Sequence, residues 1–377
     1  ARLSPLQRKL KLKNPSASAK QKRAHAQEDI EVVTLPVGKH IHIELENLSH
    51  DGRGVGRWQG KTIFVAGGLQ GESVKAEVLS DHKTHTEARL LELKQTSDQR
   101  VEPFCPVYDT CGGCQLQHLE PAAQVSFKQA AIAEQLRRLA GIEPSQWVPS
   151  ITGPSTGYRR RAQLATRYFA DSKTLLLGFR QSGHKHIVPL NQCPVLEPAL
   201  SALIVPLHDI LVAMEHTQWV THVELLQADL GACISLKTSA TLTLEDQQKL
   251  AAFAVQQAVS LVCQQTDHND LWLNGSAEGL SYGLKVAGID RPLELEFSVQ
   301  DFVQVNAKVN EGMVAQALDW LDPQVGDQVL DLFSGVGNFA LPIASMADQG
   351  VAVLALEGDL AMVKKGRQNA QSNALSQ

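Results

Sequence analysis

A chain of 377 residues, 43% hydrophobic and 20% charged, is long enough to bury more than one core, which excludes a single small module and favours two or three domains. No run of 18 or more apolar residues occurs, and the basic N-terminus is followed by neither an apolar core nor a small-residue cleavage site, so the expectation is a soluble, cytoplasmic protein without a secretory signal. The net charge of −5 hides an asymmetry, and six clustered cysteines favour a metal or cluster site over a disulfide framework.

Residues 1–37 form a basic arm. It carries Arg2, Arg8, Lys9, Lys11, Lys13, Lys20, Lys22 and Arg23, and residues 1–27 contain no acidic group. Such a block suits phosphate contact with nucleic acid, the alternative being an inert solvated tail. Residues 38–94 read as a small β-barrel: Ile41, Ile43 and Leu45 alternate with polar residues, Ile63, Phe64 and Val65 form a short apolar run, and Val74, Ala76 and Val78 alternate again. Between the first two strands, residues 51–58 read as a glycine loop in which Arg53, Arg57 and Trp58 offer charge and a stacking face, or as an ordinary hairpin loop.

Residues 126–140 predict a helix, with Ile132, Leu136 and Leu139 at helical spacing and Gly141 as a stop. Residues 150–290 mix helical segments with short strands at 175–179, 222–226 and 232–236, an α/β or α+β pattern that names no function. After Phe297 come a helix at 310–321, a turn at 322–327, a strand, a glycine loop and another helix, the start of a βαβ unit.

Cys105, Cys111 and Cys114 are spaced C-x5-C-x2-C, and Gly112 and Gly113 let the chain wrap around a common centre. Cys193, in the polar turn at 191–194, is the best fourth ligand, whereas Cys233 and Cys263 lie in apolar runs and read as buried thiols. A close triple with one distant partner favours an iron–sulphur cluster over structural zinc or disulfides. Near the end, residues 328–340 run from a strand into Gly335-x-Gly337, and a second strand at 351–356 ends in Glu357, a carboxylate suited to ribose hydroxyls. That spelling also fits a dinucleotide site. Asp331 ahead of the loop and Asn338 within it favour S-adenosylmethionine, which has no phosphate to cradle.

In this order, the features resemble the bacterial RNA uracil-C5 methyltransferases that begin with a TRAM domain and carry a [4Fe–4S] cluster. The resemblance rests on residues 104–106 and 111–115, on Tyr158-Arg159-Arg160-Arg161, and on Phe302-Val303-Gln304-Val305-Asn306. It implies a multidomain α/β protein: an OB-like TRAM barrel at 38–96, a central α/β domain with the cluster at 97–296, and the start of a Rossmann-like methyltransferase domain at 297–377. By the same resemblance Cys105, Cys111, Cys114 and Cys193 hold the cluster, and Gln304, Phe333, Asn338 and Glu357 contact S-adenosylmethionine. Ser334 stands where many relatives have cysteine.

The long TRAM region and basic arm are most similar to the enzymes that act on 23S rRNA, with tRNA or another rRNA as the alternative target, and no DNA, membrane partner or oligomer is expected. Relatives add a cysteine thiolate to uracil C6, and a carboxylate then removes the C5 proton. That cysteine and glutamate would follow Gln377, so the expectation is a C-terminally truncated and inactive chain. A non-catalytic TRAM and iron–sulphur RNA-binding protein is the other reading.

Overall fold

The computed structural model describes residues 34–265, 270–346 and 350–375, and nearly all of the basic arm lies outside them. The chain divides into two compact units, one ending at Asp98 and the other beginning at Gln99.

The first unit is a closed barrel of β1 (His40–Leu48), β2 (Gly54–Trp58), β3 (Lys61–Ala66), β4 (Ser73–Asp81) and β5 (His85–Gln95), in the order β1-β2-β3-β5-β4. The alternating residues fill it: Ile41, Ile43, Leu45, Ile63, Val65, Val74, Ala76 and Val78 are all buried. The loop expected at 51–58 is corrected here, because residues 54–58 are a strand paired to both β1 and β3. Gly54 and Gly56 face inward, and a Cβ on Gly56 would lie 2.2 Å from the Glu44 carbonyl oxygen. These glycines mark close packing between strands rather than a turn.

Arg53 and Trp58 are also less free than expected. Arg53 pairs with Asp51 and Glu87 and lies 4.7 Å from the Phe64 ring centroid, while Lys39 Nζ sits 4.5 Å above the Trp58 ring.

A buried ion pair closes one side of the barrel. Lys61 Nζ lies 2.7 Å from Asp81 Oδ1, and Asp81 also accepts hydrogen bonds from the Thr86 hydroxyl and the Leu35 amide. Burial opposes ionisation of Asp81, but these bonds and the Lys61 charge outweigh it and hold its pKa at about 2. A carboxylate with a depressed folded pKa stabilises the fold above its ordinary range and loses that contribution as pH falls through the folded value. The stability difference between wild type and Asp81→Asn is therefore expected to be constant above about pH 5 and to shrink towards pH 2 in denaturant titrations.

The second unit opens with α1 (Pro121–Ala140). It begins five residues before the predicted start, because Pro121 occupies the first turn and the Glu120 carboxylate accepts the Ala123 amide 3.0 Å away; Gly141, at φ 65°, ends it as expected. Ile132 and Leu139 are exposed, so their helical spacing marks no buried face.

The expected short strands belong to one seven-stranded sheet. It consists of β6 (Arg161–Phe169), β7 (Thr174–Arg180), β8 (Ile187–Pro189), β9 (Val220–Ala228), β10 (Gly231–Thr238), β11 (Ser260–Gln264) and β12 (Asp270–Asn274), in the order β12-β11-β10-β9-β6-β7-β8. On one face α2 (Pro198–Ala202), α3 (Ile204–Val212) and α4 (Leu244–Gln256) bury Leu207, Leu211 and Leu250 against Leu164, Val223 and Leu236. On the other, Leu226, Cys233 and Val262 pack with the hairpin β13 (Ser281–Leu284) and β14 (Leu293–Glu296) and with Phe297, Val336 and Leu341. Burial on both faces explains why 232–236 reads as a nearly continuous apolar run.

The closing segment holds α5 (Ala307–Leu321), β15 (Gln328–Leu332), α6 (Ala340–Ala344), β16 (Ala352–Leu356) and α7 (Leu360–Ser372). β15 and β16 pair in parallel from Gln328↔Ala352 to Leu332↔Leu356, the predicted βαβ geometry. Neither strand bonds to a third among the described residues, and Leu330, Leu332, Leu354 and Leu356 are exposed. Asn369 of α7 and Asn373, the residue that caps its end, bond the backbone of Glu296 and Glu294 in β14, which fastens this segment to the hairpin. No helix among the described residues is long and apolar enough to cross a membrane.

Candidate functional site

Two constellations carry chemistry. The first is the cysteine group, in which Cys105, Cys111, Cys114 and Cys193 line one cavity of about 300 Å³ with Val107 and Phe179 in its wall. Gly112 allows the close approach: its amide donates to the Arg180 carbonyl oxygen at 2.9 Å, and a Cβ would lie 2.8 Å from that same oxygen. The loop is thereby laid along the end of β7, and Cys111 forms a bridge with Gln181.

Cys193 comes from the turn after β8. It is 7% exposed rather than projecting freely, with its amide held by Ser201 Oγ at 2.9 Å. Its thiol pKa is raised by burial, against the amides of Val195 and Leu196 directed at its sulfur; Gly113 likewise donates to Cys111 Sγ at 3.4 Å. Cys233 and Cys263 are elsewhere, on β10 and β11 in opposite cores, and burial pushes both thiols up to about 12.

The second constellation surrounds the turn after β15. Phe333 has φ 61°, a backbone conformation unusual for a bulky residue, and its side chain is 89% exposed. Glu357, at the end of β16, closes the turn: Oε2 accepts the Gly335 amide at 2.9 Å, and Oε1 accepts those of Gly358 and Asp359 at 2.7 and 3.0 Å. The amides of Asp359, Gly335 and Gly358 hold its carboxyl below the ordinary range, so it is an anion at neutral pH. Nothing lies within 4 Å of where a Gly335 Cβ would be, so the loop faces open space. Asp331 is half-buried, and its Oδ2 has no hydrogen-bond partner among the described residues.

Asn338, expected as a cofactor contact, is also engaged within the protein. Its amide exchanges two hydrogen bonds with Asn310 of α5, at 2.8 and 2.9 Å, and its oxygen also accepts the Tyr282 hydroxyl at 3.1 Å. The side chain thus anchors the loop to α5 and β13. Asn310 and Tyr282 were not legible as site residues, although Asn310, one turn after Asn306 and 4% exposed, is a polar residue on an otherwise apolar helix face.

Gln304 sits on the segment leading into α5, partly exposed and without a hydrogen bond among the described residues. The tyrosine–arginine run fixes that segment. Arg160 N bonds Val305 O at 3.0 Å, Arg159 bridges Asn306, and Arg161 donates to the carbonyls of Val299 and Asp301. Arg161 Nε also pairs with Glu224 Oε1 at 2.6 Å. The run is a clamp between the central sheet and the approach to the glycine turn. A further cavity, of about 1190 Å³, lies apart from these residues, between the 287–293 turn and the ends of α5, α6 and α7.

A family model described as tRNA (Uracil-5-)-methyltransferase matches residues 121–377, and the TRAM domain model matches residues 35–91. The chain is 42% identical over 343 residues to the 23S rRNA (uracil(1939)-C(5))-methyltransferase RlmD of Pseudomonas putida, covering 90% of this chain and 73% of that protein. To the protein of the same name from Shewanella sediminis it is 39% identical over 335 residues, covering 89% and 74%. Among solved structures, the Pyrococcus abyssi tRNA (uracil-54, C5)-methyltransferase in complex with S-adenosyl-L-homocysteine superposes with a TM-score of 0.63 at 21% identity, over 89% of this chain and 77% of that one. That likeness is one of fold.

Proposed function

Because the chain belongs to the tRNA (uracil-5-)-methyltransferase family and carries a TRAM domain ahead of the methyltransferase region, we propose that its function is methylation of uracil C5 in 23S rRNA with S-adenosylmethionine. The observation that carries the reading is the turn at 333–337, held by the Glu357 carboxylate and open above Gly335. A nucleoside laid on this turn would meet a bare backbone, the exposed Phe333 ring, and Oε2 of Glu357, which accepts only one amide and keeps a lone pair for a ribose hydroxyl. When bound, the cofactor supplies an electrophilic methyl group. The protein's residues supply the platform: Arg161 and Arg160 hold the segment that carries Gln304, and Asn310 holds the far end of the turn. The target alternative, tRNA, is separated by offering both RNAs unmodified.

Replacing Glu357 by alanine removes both the ribose acceptor and the bond to Gly335. Binding of labelled S-adenosylmethionine is expected to weaken by about 1–3 kcal/mol. A protein that binds NAD in preference would overturn this reading of the turn.

The four clustered thiols are assigned to a [4Fe–4S] cluster. The donor set fits: the four cysteines line one cavity, and backbone amides point at two of their sulfurs. When bound, the cluster would cross-link residues 105–114 to the turn at Cys193.

This assignment leaves no thiol for addition to uracil C6, because the other two of the six are buried in strands. The 377 residues alone are therefore expected to transfer no methyl group to unmodified rRNA. Turnover by this chain would mean that one of the six cysteines serves as nucleophile after all, and RNA binding without any S-adenosylmethionine binding would favour the non-catalytic reading.

A further inference from the structure

A second cluster of metal-ligating side chains lies in the barrel, outside both constellations above. His82, His85 and Glu87 each offer a ligand atom, and these atoms all lie within 4.8 Å of one another. The hairpin between β4 and β5 holds them. The His82 amide donates to the His85 carbonyl oxygen at 2.8 Å, and the strands pair Asp81↔Thr86 and Ser80↔Glu87. The two imidazoles stack with centroids 4.6 Å apart, and the edge of the Phe64 ring packs against His85.

We propose that His82, His85 and Glu87 form a binding site for a divalent transition-metal ion of the zinc class. Two imidazoles and one carboxylate are the donor set that zinc takes when a fourth position is left to water. One nitrogen of each ring meets a hydroxyl, Ser80 Oγ for His82 and Thr84 Oγ1 for His85, both at 3.2 Å, and the other nitrogen of each has no hydrogen-bond partner among the described residues. Outer-shell hydroxyls of this kind orient ligating imidazoles. Glu87 is steadied in the same way, with Oε2 accepting Ser80 Oγ at 2.9 Å and Oε1 accepting Arg53 at 3.1 Å. The Arg53 guanidinium is a competing cation, but it is also paired with Asp51 and has a partner to retain when the ion takes the carboxylate. The spacing, H-x2-H-x-E across a two-residue turn, puts all three ligands on one rigid hairpin, so little ordering is required when the ion binds.

The test is zinc uptake by the full chain, with its iron content measured in the same samples so that binding at unloaded cysteines is separated. Wild-type protein dialysed against zinc chloride in a non-chelating buffer is expected to hold one equivalent more zinc than His82→Ala/His85→Ala. Glu87→Gln is expected to bind about tenfold more weakly. Equal zinc uptake by wild type and the double variant at equal iron content would overturn the site. Should the double variant fail to fold by thermal unfolding, Glu87→Gln and the single variant His82→Gln decide: undiminished zinc affinity in both overturns the site, and weakened affinity in both supports it.

Discussion

Arg161→Ala is expected to destabilise the second unit by about 2–4 kcal/mol, somewhat less than for a fully buried pair because the side chains of Arg161 and Glu224 keep 16% and 21% exposure. The substitution leaves the Glu224 carboxylate without its cation and removes two hydrogen bonds, to the carbonyls of Val299 and Asp301. Most of the cost comes from the stranded charge, so a paired replacement should recover part of it. Arg161→Met with Glu224→Leu is expected to be more stable than Arg161→Ala alone in denaturant titrations, and a double variant as unstable as the sum of its singles would show that the ion pair is not what matters. A second readout follows from position. The same arginine holds the segment that carries Gln304, so in protein that binds S-adenosylmethionine the affinity should fall in Arg161→Ala and stay reduced in the paired replacement, which restores charge balance but not the bonds to the segment.

On the proposed [4Fe–4S] assignment, Cys193→Ala is expected to abolish cluster binding. Anaerobically purified wild type should be brown, with about four irons per chain, and the variant should be colourless with less than about one. Cys263→Ala serves as the control: that thiol is buried on β11, away from the cavity, and its loss should leave iron content unchanged. Cys193 has the largest expected effect because, of the four proposed ligands, it alone lies outside the 105–114 loop; without it the remaining three thiols all come from one short loop. One equivalent of zinc per chain with no sulfide would refute the cluster and return the four thiols to the zinc reading.

Much of this protein was legible in its sequence wherever the determinant is local. Alternation fixed the inward residues of the barrel, since a strand's side chains must take opposite faces. The glycines before Glu357 announced a turn after a strand, and β15 and β16 pair in the expected parallel register. The cysteine spacing picked out three of the four thiols that line one cavity, because a short loop is enough for them to converge, and the polar turn at 191–194 pointed to the fourth. What the sequence alone could not decide depends on partners distant in the chain. Glycines 54 and 56 look like loop residues until β1 is seen to lie against them, and then they are the residues that let two strands approach. Asn338 reads as a cofactor contact from its place in the glycine loop, and only the fold shows that its amide also exchanges hydrogen bonds with Asn310, 28 residues away. Arg161 reads only as one member of the tyrosine–arginine run, and its pairing with Glu224, 63 residues distant, is what makes it part of the clamp on Gln304's segment. Periodicity and spacing report which face a residue occupies; which group satisfies a polar side chain there is settled by tertiary contact, because the alternative is a buried polar group without a partner.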